Sequence, residues 1–102
     1  MSVVTVGELE LGVHAAMDPD TRARRADTLA LARAADPLPI TETVMSRFAQ
    51  LVHDCRSAGA RLKVLDALIA ATAIDHGLVV LTQDHDFDTI SSAHSALEVV
   101  HV

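Results

Sequence analysis

The sequence predicts an α/β fold, a parallel sheet with helices on both faces, formed as one domain over residues 1–102. Three observations predict it. The chain has 102 residues, half of them hydrophobic and 22% charged, which suits one domain with a real core and excludes disorder. Segments of strand period and helix period alternate along the chain, the pattern of parallel strands joined by helical crossovers. The run Leu78–Thr82 is apolar without alternation, as in a strand buried on both faces.

Taken in order, Ser2-Val3-Val4-Thr5-Val6 is short, β-branched and apolar and reads as a buried strand. Gly7 to Ala16 reads as a helix, because Leu9, Val13 and Ala16 recur at i, i+4 and i+7. Asp18-Pro19 marks a new start, with Asp18 as N-cap and Pro19 in the first helical position. The helix continues to about Ala35 through Ala, Leu and Arg, all good helix formers. Pro37 and Pro39 interrupt it and leave room only for a short edge strand. Thr41 caps a third helix whose apolar stripe is Val44, Phe48, Leu51, Val52 and Cys55, and Gly59 ends it. A fourth helix spans Val64 to His76 and stops at Gly77, followed by the strand Leu78–Thr82. The polar stretch Asp84 to Ala96 accommodates one helical turn, and Glu98 to Val102 closes as a strand.

Several classes are excluded at this level. One cysteine, Cys55, forms no intramolecular disulfide and no cysteine zinc site; its place on the apolar stripe makes it a core residue. The apolar stretch Val64 to Ile74 falls short of the ~20 residues of a membrane span, and no basic segment precedes an apolar run as in a signal peptide. The expectation is a cytoplasmic protein without a membrane partner. Formal net charge is −6, which argues against tight nonspecific DNA binding. The charge is unevenly spread. Every basic residue lies between Arg22 and Lys63, and from Val64 onward there are six acids and no base. Arg22, Arg24 and Arg25 form the densest basic cluster, read either as a solvated helix face or as a contact for RNA phosphates.

Ligands of open parallel sheets bind at the carboxyl ends of the strands. On the expected topology Glu8 lies just past the first strand, Asp84 just past Leu78–Thr82, and Asp66 in the first turn of the helix feeding that strand. Singly, Glu8 and Asp66 could complement helix N-termini and Asp84 could be a turn residue. Together they form a carboxylate rim, and Asp66, set in Val-Leu-Asp-Ala-Leu-Ile, is costly to bury unpaired. Like charges gathered at close range call for cations, raised pKa values or a divalent metal, and hard oxygen donors suit Mg²⁺ or Mn²⁺.

The segments Ser2-Val-Val-Thr-Val-Gly-Glu8-Leu-Glu-Leu-Gly12-Val, Asp66-Ala-Leu-Ile-Ala-Ala-Thr-Ala and Leu81-Thr-Gln-Asp84-His-Asp86-Phe87 resemble, in this order, the PIN-domain ribonucleases. The similarity is greatest to toxins of VapBC-type toxin–antitoxin modules. The resemblance implies a PIN-like fold and a Mg²⁺- or Mn²⁺-dependent endoribonuclease held inactive by a cognate VapB-type antitoxin. It further implies that Glu8, Asp66 and Asp84 match three of four active-site acids, with Asp86 a weaker metal-ligand candidate. Family members begin with a strand ending in an aspartate and then one or two helices. The chain has no counterpart of that N-terminal strand-helix portion or of its aspartate. The rival expectation is therefore a catalytically inactive truncated module that binds the antitoxin. Leu9, Val13, Leu29 and Leu31 are expected to offer an apolar surface to the antitoxin or to a second copy in a homodimer.

Six histidines invite a zinc reading, but His14, His53, His76, His85, His94 and His101 show no recognised ligand spacing. A Ser/His/Asp hydrolase is weaker still, since no serine occupies a strand-to-helix elbow.

Overall fold

A computed structural model describes residues 1–82 and 85–102. In chain order these residues form α1 (Val3–Ala15), α2 (Pro19–Ala34), α3 (Glu42–Ser57), α4 (Val64–Asp75), β1 (Val80–Thr82), α5 (Asp86–Ala93) and β2 (Val99–His101). They divide into two compact units, Met1–Pro39 and Ile40–Val102.

The first unit is a helix pair. The segment Ser2–Val6, expected as a strand, is helical. Ser2 is the N-cap of α1, its Oγ accepting from the Val4 N–H at 3.2 Å. Val6 is 8% exposed and packs on Leu29 and Ala32 of α2, with Leu9 and Val13 against the same cluster. The apolar stripe thus starts at Val6 and runs through Leu9 and Val13 to the buried Ala16 at helical spacing. A cap and a packing stripe outweigh the β preference of Val and Thr, which spans only ~1 kcal/mol and depends on context. What remains of strand pairing is one parallel bridge between Ser2 and Leu38, with Val3 N–H donating to Leu38 O at 2.8 Å and Leu38 N–H to Met1 O at 2.7 Å. The second helix is as expected: Asp18 accepts from the Thr21 N–H at 2.8 Å, and Pro19 opens the first turn.

The second unit carries the larger core. Thr41 caps α3, accepting from the Val44 N–H at 3.2 Å, and Val44, Leu51 and Cys55 are fully buried. Leu51 and Cys55 meet Ala67, Ala70 and Ala73 of α4, and the cluster extends to Val80, Phe87, Ile90 and Leu97. Alanines at this contact let the two helix backbones approach closely. Gly77, at φ 64°, turns the chain out of α4, and β1 then pairs in parallel with β2 in the register Val80↔Val99, Leu81↔Val100, Thr82↔His101.

Two expectations are corrected here. The strand Leu78–Thr82 is shorter and is not buried on both faces. Val80 joins the core, whereas Leu81 on the opposite face is 65% exposed, and Leu78 and Val79 ahead of the strand are also exposed. Successive side chains of a strand point to opposite faces, and among the described residues only the Val80 face is covered. The polar stretch after β1 holds the eight-residue helix α5 rather than a single turn, because Phe87 and Ile90 give it a buried face. No helix among the described residues is long and apolar enough to cross a membrane.

Candidate metal centre

Asp66 and Asp86 line one cleft of ≈ 390 Å³ in the second unit. Each lies in the first turn of its helix, Asp66 in α4 and Asp86 in α5. The positive end of the helix dipole favours a carboxylate at that position. Neither helix start has a side-chain cap from the preceding residue, Lys63 or His85. Asp66 is half-buried while Asp86 is exposed. Cations stand beside the acids: Lys63 Nζ lies 3.1 Å from Asp86 Oδ2, and Arg61 lines the same cleft. The Lys63–Asp86 pair is largely solvated, so it contributes little to stability and yields readily to another cation. Two carboxylates form a hard-oxygen donor set, which suits Mg²⁺ or Mn²⁺. Arg61 and Lys63 were not singled out from sequence. Their position as the last two cations before the acidic C-terminal stretch was the available signal.

The other expected ligands are placed differently. Asp84 lies outside the described residues. Glu8 is exposed on α1 in the first unit, in the second turn of a helix rather than beyond a strand end. It lines a cleft of ≈ 400 Å³ together with Thr21, Arg24 and Arg25.

The basic cluster has structural work of its own. Arg22 Nη2 donates to Ala16 O at 3.0 Å and Arg25 Nη1 to Gly12 O at 2.7 Å, so both satisfy carbonyls at the end of α1. Arg24 donates to Thr21 Oγ1 at 3.3 Å. A guanidinium has five N–H donors, so one such bond leaves the group able to reach a phosphate. The expected apolar docking surface is largely internal. Leu29 is buried with Leu9 and Val13 against it, and of the four residues only Leu31 is well exposed, at 74%.

The scattered histidines conceal one convergence. His85 Nδ1 lies 2.8 Å from Asp88 Oδ2, and His101 Nε2 lies 2.8 Å from Asp88 Oδ1. The His85 hydrogen bond, seconded by that of His101, holds the Asp88 carboxyl below the usual carboxylate range. The two rings are neighbours, with centroids 4.6 Å apart. Elsewhere in the unit, His94 Nδ1 sits 2.6 Å from Asp54 Oδ2, and Gln50 donates to Asp54 Oδ1 at 2.8 Å. These two bonds, the His94 bond first, lower the Asp54 pKa. Burial pushes the Cys55 thiol up, so it stays protonated as the core residue expected.

Residues 1–101 match the family described as PIN domain. The chain is 61% identical over 75 residues to Ribonuclease VapC8 of Mycobacterium tuberculosis, covering 72% of this chain and 67% of that protein. It is 48% identical over 87 residues to Ribonuclease VapC4 of the same organism, covering 85% and 67%. Among solved structures it superposes with a TM-score of 0.92 and 35% identity on VapBC-5 of the VapBC family of toxin–antitoxin systems from M. tuberculosis, over 99% of this chain and 79% of that one. FitAcB from Neisseria gonorrhoeae follows at a TM-score of 0.78 and 29% identity, over 96% and 70%. With the acidic motifs, the parallel β1–β2 pair and these likenesses in agreement, the chain belongs to the PIN-domain family, among its VapC-type toxins.

Proposed function

We propose that this protein is a Mg²⁺- or Mn²⁺-dependent endoribonuclease, the toxin of a VapBC-type module, which hydrolyses RNA phosphodiester bonds in the cytoplasm and is restrained by a cognate antitoxin. The observation that carries this reading is the cleft in which Asp66 and Asp86, each at a helix start, stand beside Arg61 and Lys63. The names of the relatives, ribonucleases and toxin–antitoxin assemblies, point the same way.

In this reading residues 1–102 act as one domain. On the motif resemblance Glu8, Asp66 and Asp84, with Asp86 as an additional ligand, are the residues that would hold the metal directly or through water. The bound ion supplies Lewis acidity and lowers the pKa of the attacking water. The carboxylates orient that ion, and Lys63 and Arg61 attract the phosphate and offset charge that develops on its oxygens. Arg22, Arg24 and Arg25 contact the RNA backbone. Such contacts give affinity without base selectivity and weaken with salt.

The test is cleavage of structured RNA by the purified chain. Weak or no activity is expected of the 102 residues alone; with a family-type N-terminal strand and its aspartate added, cleavage is expected with Mg²⁺ or Mn²⁺, none in EDTA, and loss of most activity in Asp66→Asn. RNA cleavage unaffected by EDTA would falsify the metal-dependent reading. Antitoxin binding without any cleavage is the outcome that favours the inactive, antitoxin-binding alternative.

A further inference from the structure

We infer that His85, Asp88 and His101 form a second metal site, selective for a borderline divalent transition ion of the Zn²⁺ class, with a donor set distinct from that of the carboxylate centre, whose cleft His85 also borders. Three segments converge there: the residue preceding α5, the first turn of α5, and the last residue of β2. Their ligand atoms all lie within 4.8 Å of one another. A tetrahedral ion at ~2.0–2.1 Å from each donor needs those donors about 3.4 Å apart. The two imidazole-to-carboxylate separations of 2.8 Å therefore open by about half an ångström, while a pair at the 4.8 Å limit closes by about 1.4 Å.

The donor set decides the ion. Two imidazole nitrogens and one carboxylate suit Zn²⁺, Co²⁺ or Ni²⁺, whereas Mg²⁺ prefers oxygen donors and retains its waters. Three protein ligands leave the fourth position to water. All three side chains are solvent-accessible: His85 is 81%, Asp88 44% and His101 39% exposed, so an ion enters without unfolding. An ion held there would fasten β2, whose register with β1 is only three residues long, to α5.

Co²⁺ serves as the probe because four-coordinate, nitrogen-ligated Co²⁺ absorbs far more strongly in the visible than the six-coordinate aquo ion. The metal-free full chain is titrated with Co²⁺, then back-titrated with Zn²⁺. Expected are a strong visible band saturating at one equivalent, its displacement by Zn²⁺ but not by excess Mg²⁺, and a Tm that rises with Zn²⁺ concentration. Removal of metal-orienting neighbours already costs 10–100-fold in affinity, so loss of a ligand itself in His85→Ala or His101→Ala should weaken binding about 100-fold or more. Asp66→Asn should leave the band intact. His85 is the most exposed of the three, so its variant remains informative if the His101 variant does not fold. A weak, six-coordinate spectrum, a band that survives His85→Ala, or a band lost in Asp66→Asn would each overturn the site.

Discussion

Asp66 and Asp54 are both half-buried carboxylates in helices, and their neighbours separate their roles. Asp66 lines the cleft with Asp86. With Asn there, the rise in Tm that Mn²⁺ should produce in the wild-type protein is expected to vanish in a fluorimetric melt while the fold persists, since one anionic ligand is lost. Asp54 is a fastening point between α3 and the residue that ends α5, His94. Its pKa is depressed in the folded protein, so the stabilisation it gives is complete above the ordinary carboxyl value of 3.8 and is lost as the pH falls through the lowered one. Asp54→Asn should therefore lower Tm at about pH 5 and converge on the wild type once the pH lies below the lowered value. A difference between the two that stays constant across this range would refute the linkage. In sequence, Asp54 is one acid on the polar side of a helix; its partner is 40 positions away and only packing brings it there.

Helix ends were more legible than strands. Asp18, Thr41, Gly59 and Gly77 were read as caps or stops, and each stands at such a boundary. Capping is local chemistry, satisfied by donors and acceptors within a few residues. Two tests follow at this scale. Thr41→Ala leaves the Val44 N–H without its acceptor and should destabilise by about 1 kcal/mol in urea melts. Gly77→Ala places a Cβ in open space but at φ 64°, so its cost of about 1 kcal/mol should come from the backbone alone. Strands depend on remote partners. The residues Ser2–Val6 have the composition of a strand and form a helix because Leu29 and Ala32 offer a packing face and Leu38 offers only one bridge.

At the level of the whole molecule, metal and antitoxin are expected to be coupled. If the antitoxin reaches the cleft of Asp66 and Asp86 with a basic side chain, it replaces the metal as the neutralising cation, much as Lys63 pairs with Asp86. Linkage then requires each ligand to weaken the other by the same factor. Calorimetric titration of the cognate antitoxin with and without saturating Mn²⁺ measures that factor. Equal affinities would place the antitoxin away from the cleft. Leu11 at 66% and Leu31 at 74%, exposed apolar side chains of the two helices, are then the residues to substitute next.

Composition and period sufficed for the α/β class, the boundaries of α2, α3 and α4, and the order of the acidic motifs, because helix periodicity, caps and motif spacing are written within a few consecutive residues. The meeting of Asp66 with Asp86 and of His85 with His101, and the helical state of Ser2–Val6, were decided by packing. The first two depend on the alanine-rich face of α4, the short β1–β2 pair and the buried Phe87 and Ile90, which set α5 in place, and the third on the packing of Val6 against Leu29 and Ala32.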